Sequence, residues 1–260
     1  MAVHAPQKEA FDIATKHQNQ LQKLEIISSF LTILFTILAF FSFYTFIEGF
    51  INVLSIILLI AVLYLKTRFL LSYREAESIR RDSLIDNSFD TKLAETEAIE
   101  YYNNAEMTTA LHKLLASTHE SSIFSLAIVN RMLRKQNLIN LIVGIFLLVA
   151  CAVSSIHSKI FLALFNGFMS LNMISSFVEL CFLRAEINTV INNCKGICEN
   201  HLSDASNTLT VTAQAHIIRE CLRYEAALSY ASVLFDESTY HKLNKSHTNK
   251  WKKIKERYYK

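Results

Sequence analysis

The chain has 260 residues, 52% of them hydrophobic and 19% charged, with a formal net charge of +3; a soluble domain carries about 25% charged residues. Four glycines and one proline, Pro6, supply too little turn chemistry for a β-rich fold, and five cysteines, an odd number, do not describe a disulfide framework. The expected fold class is therefore all-α, and the charge deficit concentrated in four apolar runs makes it a polytopic membrane protein: four transmembrane helices as two antiparallel hairpins, plus a cytosolic helical layer.

Residues 1–25 form a polar N-terminal segment, and the apolar run after it is too long for the core of a cleaved signal peptide. Residues 26–65 read as the first hairpin. Its spans are Ile26 to Ile47 and Phe50 to Leu65, divided by little more than Glu48 and Gly49, with Lys66 and Arg68 able to snorkel. Residues 66–137 form a cytosolic segment. The second span runs on as a helix through Arg80 and Arg81, and Asp82 to Asp90 reads as a helix end and turn. Tyr101-Tyr102-Asn103-Asn104 marks a second break. Met107, Leu111, Leu114 and Leu115 then have helical spacing, and Phe124, Ile128 and Met132 lead into the third span.

Residues 138–182 read as the second hairpin, Leu138 to Ile156 and Ile160 to Phe182, joined by His157-Ser158-Lys159. Residues 183–260 form a C-terminal helical segment that continues the fourth span through Val190 and Ile191. It then places Ile217, Ile218, Cys221, Leu222, Leu228 and Val233 on an apolar stripe and ends in a basic tail. Three basic residues fall in 1–25, ten in 66–137 and twelve in 183–260, leaving only Lys159 at a hairpin tip. The Lys/Arg bias therefore puts both termini in the cytoplasm. The halves are loosely alike, Arg74-Glu75-Ala76-Glu77 echoing Arg184-Ala185-Glu186, which would make a parallel repeat.

Asn172, Ser175, Ser176 and Glu179 share an arc of about 100° on the fourth span. With Asn140 on the third, they are candidates to line a conducting path in an oligomer, or to hydrogen-bond between helices. Arg80, Arg81, Asp86 and Asp90 gather charge, with Asp82, at one turn. They form either a ligand or partner sensor reporting to the spans, or helix caps and local ion pairs. Trp251, Ile254 and Tyr258 share a face of the terminal helix among Lys252, Lys253 and Lys255. That pattern suits a lipid-facing tail on an anionic leaflet, or a helix packed by its aromatic side.

Cys194, Cys198 and His201 would share a helix face and invite soft-metal ligation, but no fourth ligand is evident and burial explains the thiols as well. There is no Gly-rich phosphate loop, no HExxH zinc motif and no arginine followed by histidine at the spacing of helical ribonucleases. The expectation is a non-enzyme without cofactor or metal, with nucleic acid disfavoured as a partner of the tail.

The two spaced hairpins, the acidic turn before Phe in Ala76 to Phe89, and the helix Ile217-Ile218-Arg219-Glu220-Cys221-Leu222-Arg223 carry a resemblance. Together they resemble the four-transmembrane (SMODS-associating type) membrane effectors of bacterial antiphage defence operons. The Pro-aromatic element expected near the end is missing, since no proline follows Pro6. The resemblance implies an inner-membrane effector, quiet until infection, that oligomerises and permeabilises or depolarises the membrane on a cytosolic signal. The implied partners are the lipid bilayer, further copies of the chain, and a soluble defence-operon protein or a nucleotide second messenger. A non-conducting scaffold recruiting a soluble partner is the alternative, and a small-solute transporter a third reading.

Overall fold

The structure is a computed structural model, and it describes residues 7–38, 44–94, 107, 109–153, 173–201, 209–235 and 237–259. Among the described residues the chain is all-helical: α1 (Gln7–Leu38), α2 (Tyr44–Phe89), α3 (Ala110–Val153), α4 (Met173–His201), α5 (Val211–Ala231) and α6 (Glu237–Tyr258), with no strand. The hairpin tip His157-Ser158-Lys159, the break at Tyr101 to Asn104 and the side chain of Glu48 lie outside the described residues.

With no proline and few glycines to interrupt them, the helices run far past the apolar runs. α2 has 46 residues and α3 has 44, against the roughly 20 that cross a hydrocarbon core. As expected, α2 continues unbroken through Arg80 and Arg81, and α3 joins Phe124 and Met132 to the third apolar run. The helix end expected over Asp82 to Asp90 falls at the last of those residues. α2 persists to Phe89 because Leu84 and Ser88 are buried, and Asp90 then turns the chain with φ 54°.

The chain forms two compact units. One comprises Asp12–Ser72 and Arg134–Val178. Here the hydroxyls of Ser29, Thr32, Ser55, Thr67 and Ser72 donate to carbonyls four residues back, so no water is needed to satisfy them. His17 Nδ1 meets Ser72 Oγ at 2.8 Å and ties α1 to α2. The large apolar side chains point outward instead of inward: Ile26 and Phe30 on α1, Phe50, Ile56 and Ile60 on α2, and Leu141, Ile145 and Leu148 on α3 are all exposed. Gly49–Phe89 is the one helix among the described residues long and apolar enough to cross a membrane, and only 6% of its most apolar window is buried. The core helix of a soluble domain would be mostly covered.

The other unit comprises Met1–Phe11, Tyr73–Leu133 and Glu179–Lys260. Its core is conventional: Tyr73 and Ala76 from α2, Leu115 and Val129 from α3, Leu183, Ile187 and Val190 from α4, and Ile217 from α5 are buried. The apolar stripe expected on α5 needs correction. Ile217 and Leu228 are buried, but Ile218 and Leu222 are exposed and Val233 lies past the helix end. Glu220, Tyr224 and Glu225 take the inward positions instead: Tyr224 and Glu225 find polar partners on the neighbouring helices, whereas Glu220 pairs with Arg219 beside it on α5.

Candidate functional site

The inward polar face of α5 meets α2 in a buried charge cluster. Helical spacing stacks Glu77 and Arg80 one turn apart on α2, and the Arg80 guanidinium donates to Glu77 at 2.8 Å and to Glu225 of α5. It also lies over the Tyr224 ring, 5.9 Å from the centroid. The Tyr224 hydroxyl pairs with Ser125 Oγ of α3 at 2.8 Å, and Tyr73 donates to the Leu228 carbonyl at 3.1 Å. Three helices thus share one polar network around a single cation.

Burial works against charge on Arg80, but Glu225 and Glu77 outweigh it and raise its pKa further. Burial raises the Glu225 pKa, with Arg80 opposing. Glu225 Oε1 has no hydrogen-bond partner among the described residues. Two carboxylates thus face the Arg80 guanidinium, and the attraction of Arg81 adds to that of Arg80 on Glu225.

The sensing candidates therefore separate. Arg80 belongs to the core of the unit. Arg81, half-buried, reaches Ser229 Oγ at 3.4 Å. Asp86 and Asp90 do not join them. Asp86 accepts from Leu93 N–H, Ala94 N–H and Thr91 Oγ1, each at 2.7 Å, and although burial opposes it, those bonds hold its carboxyl below its ordinary value. Asp90 is exposed and pairs with Lys113 at 3.4 Å. Both acids shape the turn after α2, and no ligand geometry unites the four.

A second cluster docks α6. Of the two readings of the tail, lipid-facing or packed by its aromatic side, Trp251 follows the second: it is only 4% exposed. Its ring packs edge-on to His119 of α3 at 5.6 Å, with the Tyr259 ring 5.7 Å away. A large indole covered by protein gains more than one left in water, so the aromatic face packs inward. His119 Nδ1 lies 3.0 Å from the Tyr259 hydroxyl, and Nε2 is buried without a hydrogen-bond partner among the described residues. Burial, with Lys195 adding repulsion, pushes the imidazole down to about 4. Tyr258 donates to Glu199 at 3.2 Å under the Arg257 guanidinium, Lys252 and Lys253 are exposed, and Lys255 is half-buried.

Cys194 and Cys198 do share a face of α4, and both are buried. Burial raises the Cys194 thiol strongly and pushes Cys198 and Cys221 up to about 11, so all three rest as thiols. Among the described residues no cluster of His, Cys, Asp or Glu could hold a metal ion.

Of the pore candidates, Asn172 lies outside the described residues. Ser175 and Ser176 are exposed on α4, Glu179 is half-buried one turn on, and Asn140 accepts from Gln136 at 3.2 Å on α3. Sequence reasoning did not single out Glu77, His119, Tyr224, Glu225 or Tyr259. The available signal was polar residues, Glu220 and Tyr224, standing in helical register with Ile217 and Leu228.

Among the described residues the protein is all-helical, with one helix long and apolar enough to cross a membrane. No protein-family model, curated protein or solved structure matches the chain.

Proposed function

We propose that this chain is a non-enzymatic inner-membrane effector of the bacterial antiphage, abortive-infection type. It crosses the bilayer four times as two hairpins with both termini cytoplasmic. It assembles as a homo-oligomer and depolarises the membrane when a cytosolic signal reaches the unit built on the Arg80 cluster. The observation that supports the membrane part is the outward apolar surface of α1, α2 and α3, which suits lipid and the contacts between copies of the chain. The Lys/Arg distribution supports the orientation, and the resemblance to the four-transmembrane effectors supports the outcome.

α2, α3 and α4 each contribute residues to both units without a break. A signal that binds one arrangement of these helices more tightly than another shifts their populations, which is all that gating requires. Ser175, Ser176, Glu179, Asn172 and Asn140 are the proposed path. The second reading is a non-conducting scaffold that recruits a soluble partner. The scarcity of glycine and proline disfavours a transporter with broken helices.

The test is membrane potential and propidium uptake in a bacterial host, with the chain alone and with its neighbouring genes under phage challenge. Depolarisation that needs the trigger and is lost in Asn172→Leu with Glu179→Leu supports an effector. Phage protection with potential intact throughout supports the scaffold.

A further inference from the structure

With Trp251 turned inward, the opposite side of α6 is left to do something else. Lys242, Lys250, Lys252, Lys253 and Arg257 are all exposed on that helix, and among its described residues Glu256 and the first-turn Glu237 are the acids. At 100° per residue the five cations share the half of the helix away from Trp251. Among the described residues none of the five cations forms an ion pair. The docked face is fixed by Trp251 against His119, by Tyr258 on Glu199, and by His247 5.7 Å from Phe124. Holding α6 rigid removes the ordering cost that a free basic tail would meet on binding.

We propose that docked α6 is a preformed cationic platform for an anionic lipid surface, engaging headgroup phosphates and carboxylates through Lys250, Lys252, Lys253 and Arg257 while Trp251 stays inside the protein. The choice of lipid rests on the membrane reading above. A chain held at a bilayer meets headgroups at high effective concentration, whereas nucleic acid must be met from solution. The mode differs from an amphipathic anchor: no apolar side chain enters the interface, so binding is electrostatic and weakens with salt.

The experiment uses the full chain in phosphatidylcholine nanodiscs, mixed with large vesicles of phosphatidylcholine alone or with added phosphatidylserine, and scored by flotation. Capture should require phosphatidylserine, fall on raising salt, and drop about fivefold for each of Lys250→Gln, Lys252→Gln and Lys253→Gln. Glu256→Gln should raise it. Trp251 is the only tryptophan in the chain, so brominated phosphatidylserine should leave its emission unquenched. Capture by neutral vesicles alike, quenching of Trp251, or binding of single-stranded RNA in place of vesicles would each overturn the proposal. A chain that never enters nanodiscs would instead defeat the membrane reading beneath it.

Discussion

Arg80 is where a single substitution should tell most. Arg80→Leu leaves Glu77 and Glu225 buried without their cation, and breaking such a pair costs about 3–5 kcal/mol. The detergent-solubilised chain should melt well below the parent, whereas the exposed Asp90→Asn, whose carboxylate pairs with Lys113, should change little. Glu225 has a raised folded-state pKa, so its contribution is full below the ordinary value of 4.5 and is lost as pH rises through the folded value. Glu225→Gln should remove that loss, and its melting temperature relative to the parent should climb across the same window and then level off. His119 has the opposite sign. Its folded value of about 4 lies below the ordinary 6.5, so stability is full above 6.5 and declines as pH falls toward 4. At roughly 1.4 kcal/mol per unit the decline is about 3 kcal/mol. Melts followed by Trp251 emission between pH 7.5 and 4.5 should flatten in His119→Gln; an unchanged slope would remove His119 as the source.

At the scale of elements, α5 is the helix whose ends and faces decide most. Thr210 caps it by accepting from Ala213 N–H at 3.2 Å, and Ser232 closes it in the left-handed region at φ 47°. Thr210→Ala should therefore cost about 1 kcal/mol. Ser232→Gly, which frees that conformation, should be neutral or gain by up to about 1 kcal/mol. Hydrogen exchange of the α5 amides reads both, and a same-sign response would sink the assignment of the caps. The reading of α5 as an apolar stripe failed for a definable reason. Adjacent Ile217 and Ile218 point about 100° apart, so a helix cannot bury both on one narrow face. Composition alone chose the residue pair, but Arg80 and Ser125 chose the face. α6 went the same way: its basic and aromatic residues were legible as two faces, while the partner of the aromatic one was not.

For the whole molecule, the prediction concerns membrane and flux. The chain should stay with membranes through alkaline carbonate extraction, and release into the supernatant would contradict the apolar coat of α1, α2 and α3 as a lipid-facing surface. Glu179→Leu should alter ion flux in reconstituted vesicles while leaving assembly intact, and unchanged flux would take Glu179 out of the path.

Helix content and the length of α2 and α3 follow from the sequence by itself, since so few glycines and prolines leave nothing to interrupt backbone hydrogen bonding. The apolar runs themselves are legible in the same local way, and the structure leaves large side chains of these runs on α1, α2 and α3 exposed. The tertiary structure alone decided that Arg80 sits between Glu77 and Glu225, that Asp86 and Asp90 serve a turn, and that Trp251 faces His119. Those pairings join residues up to 145 positions apart. A charge or an indole advertises only that it needs a partner, and which helix supplies that partner is fixed by packing at long range.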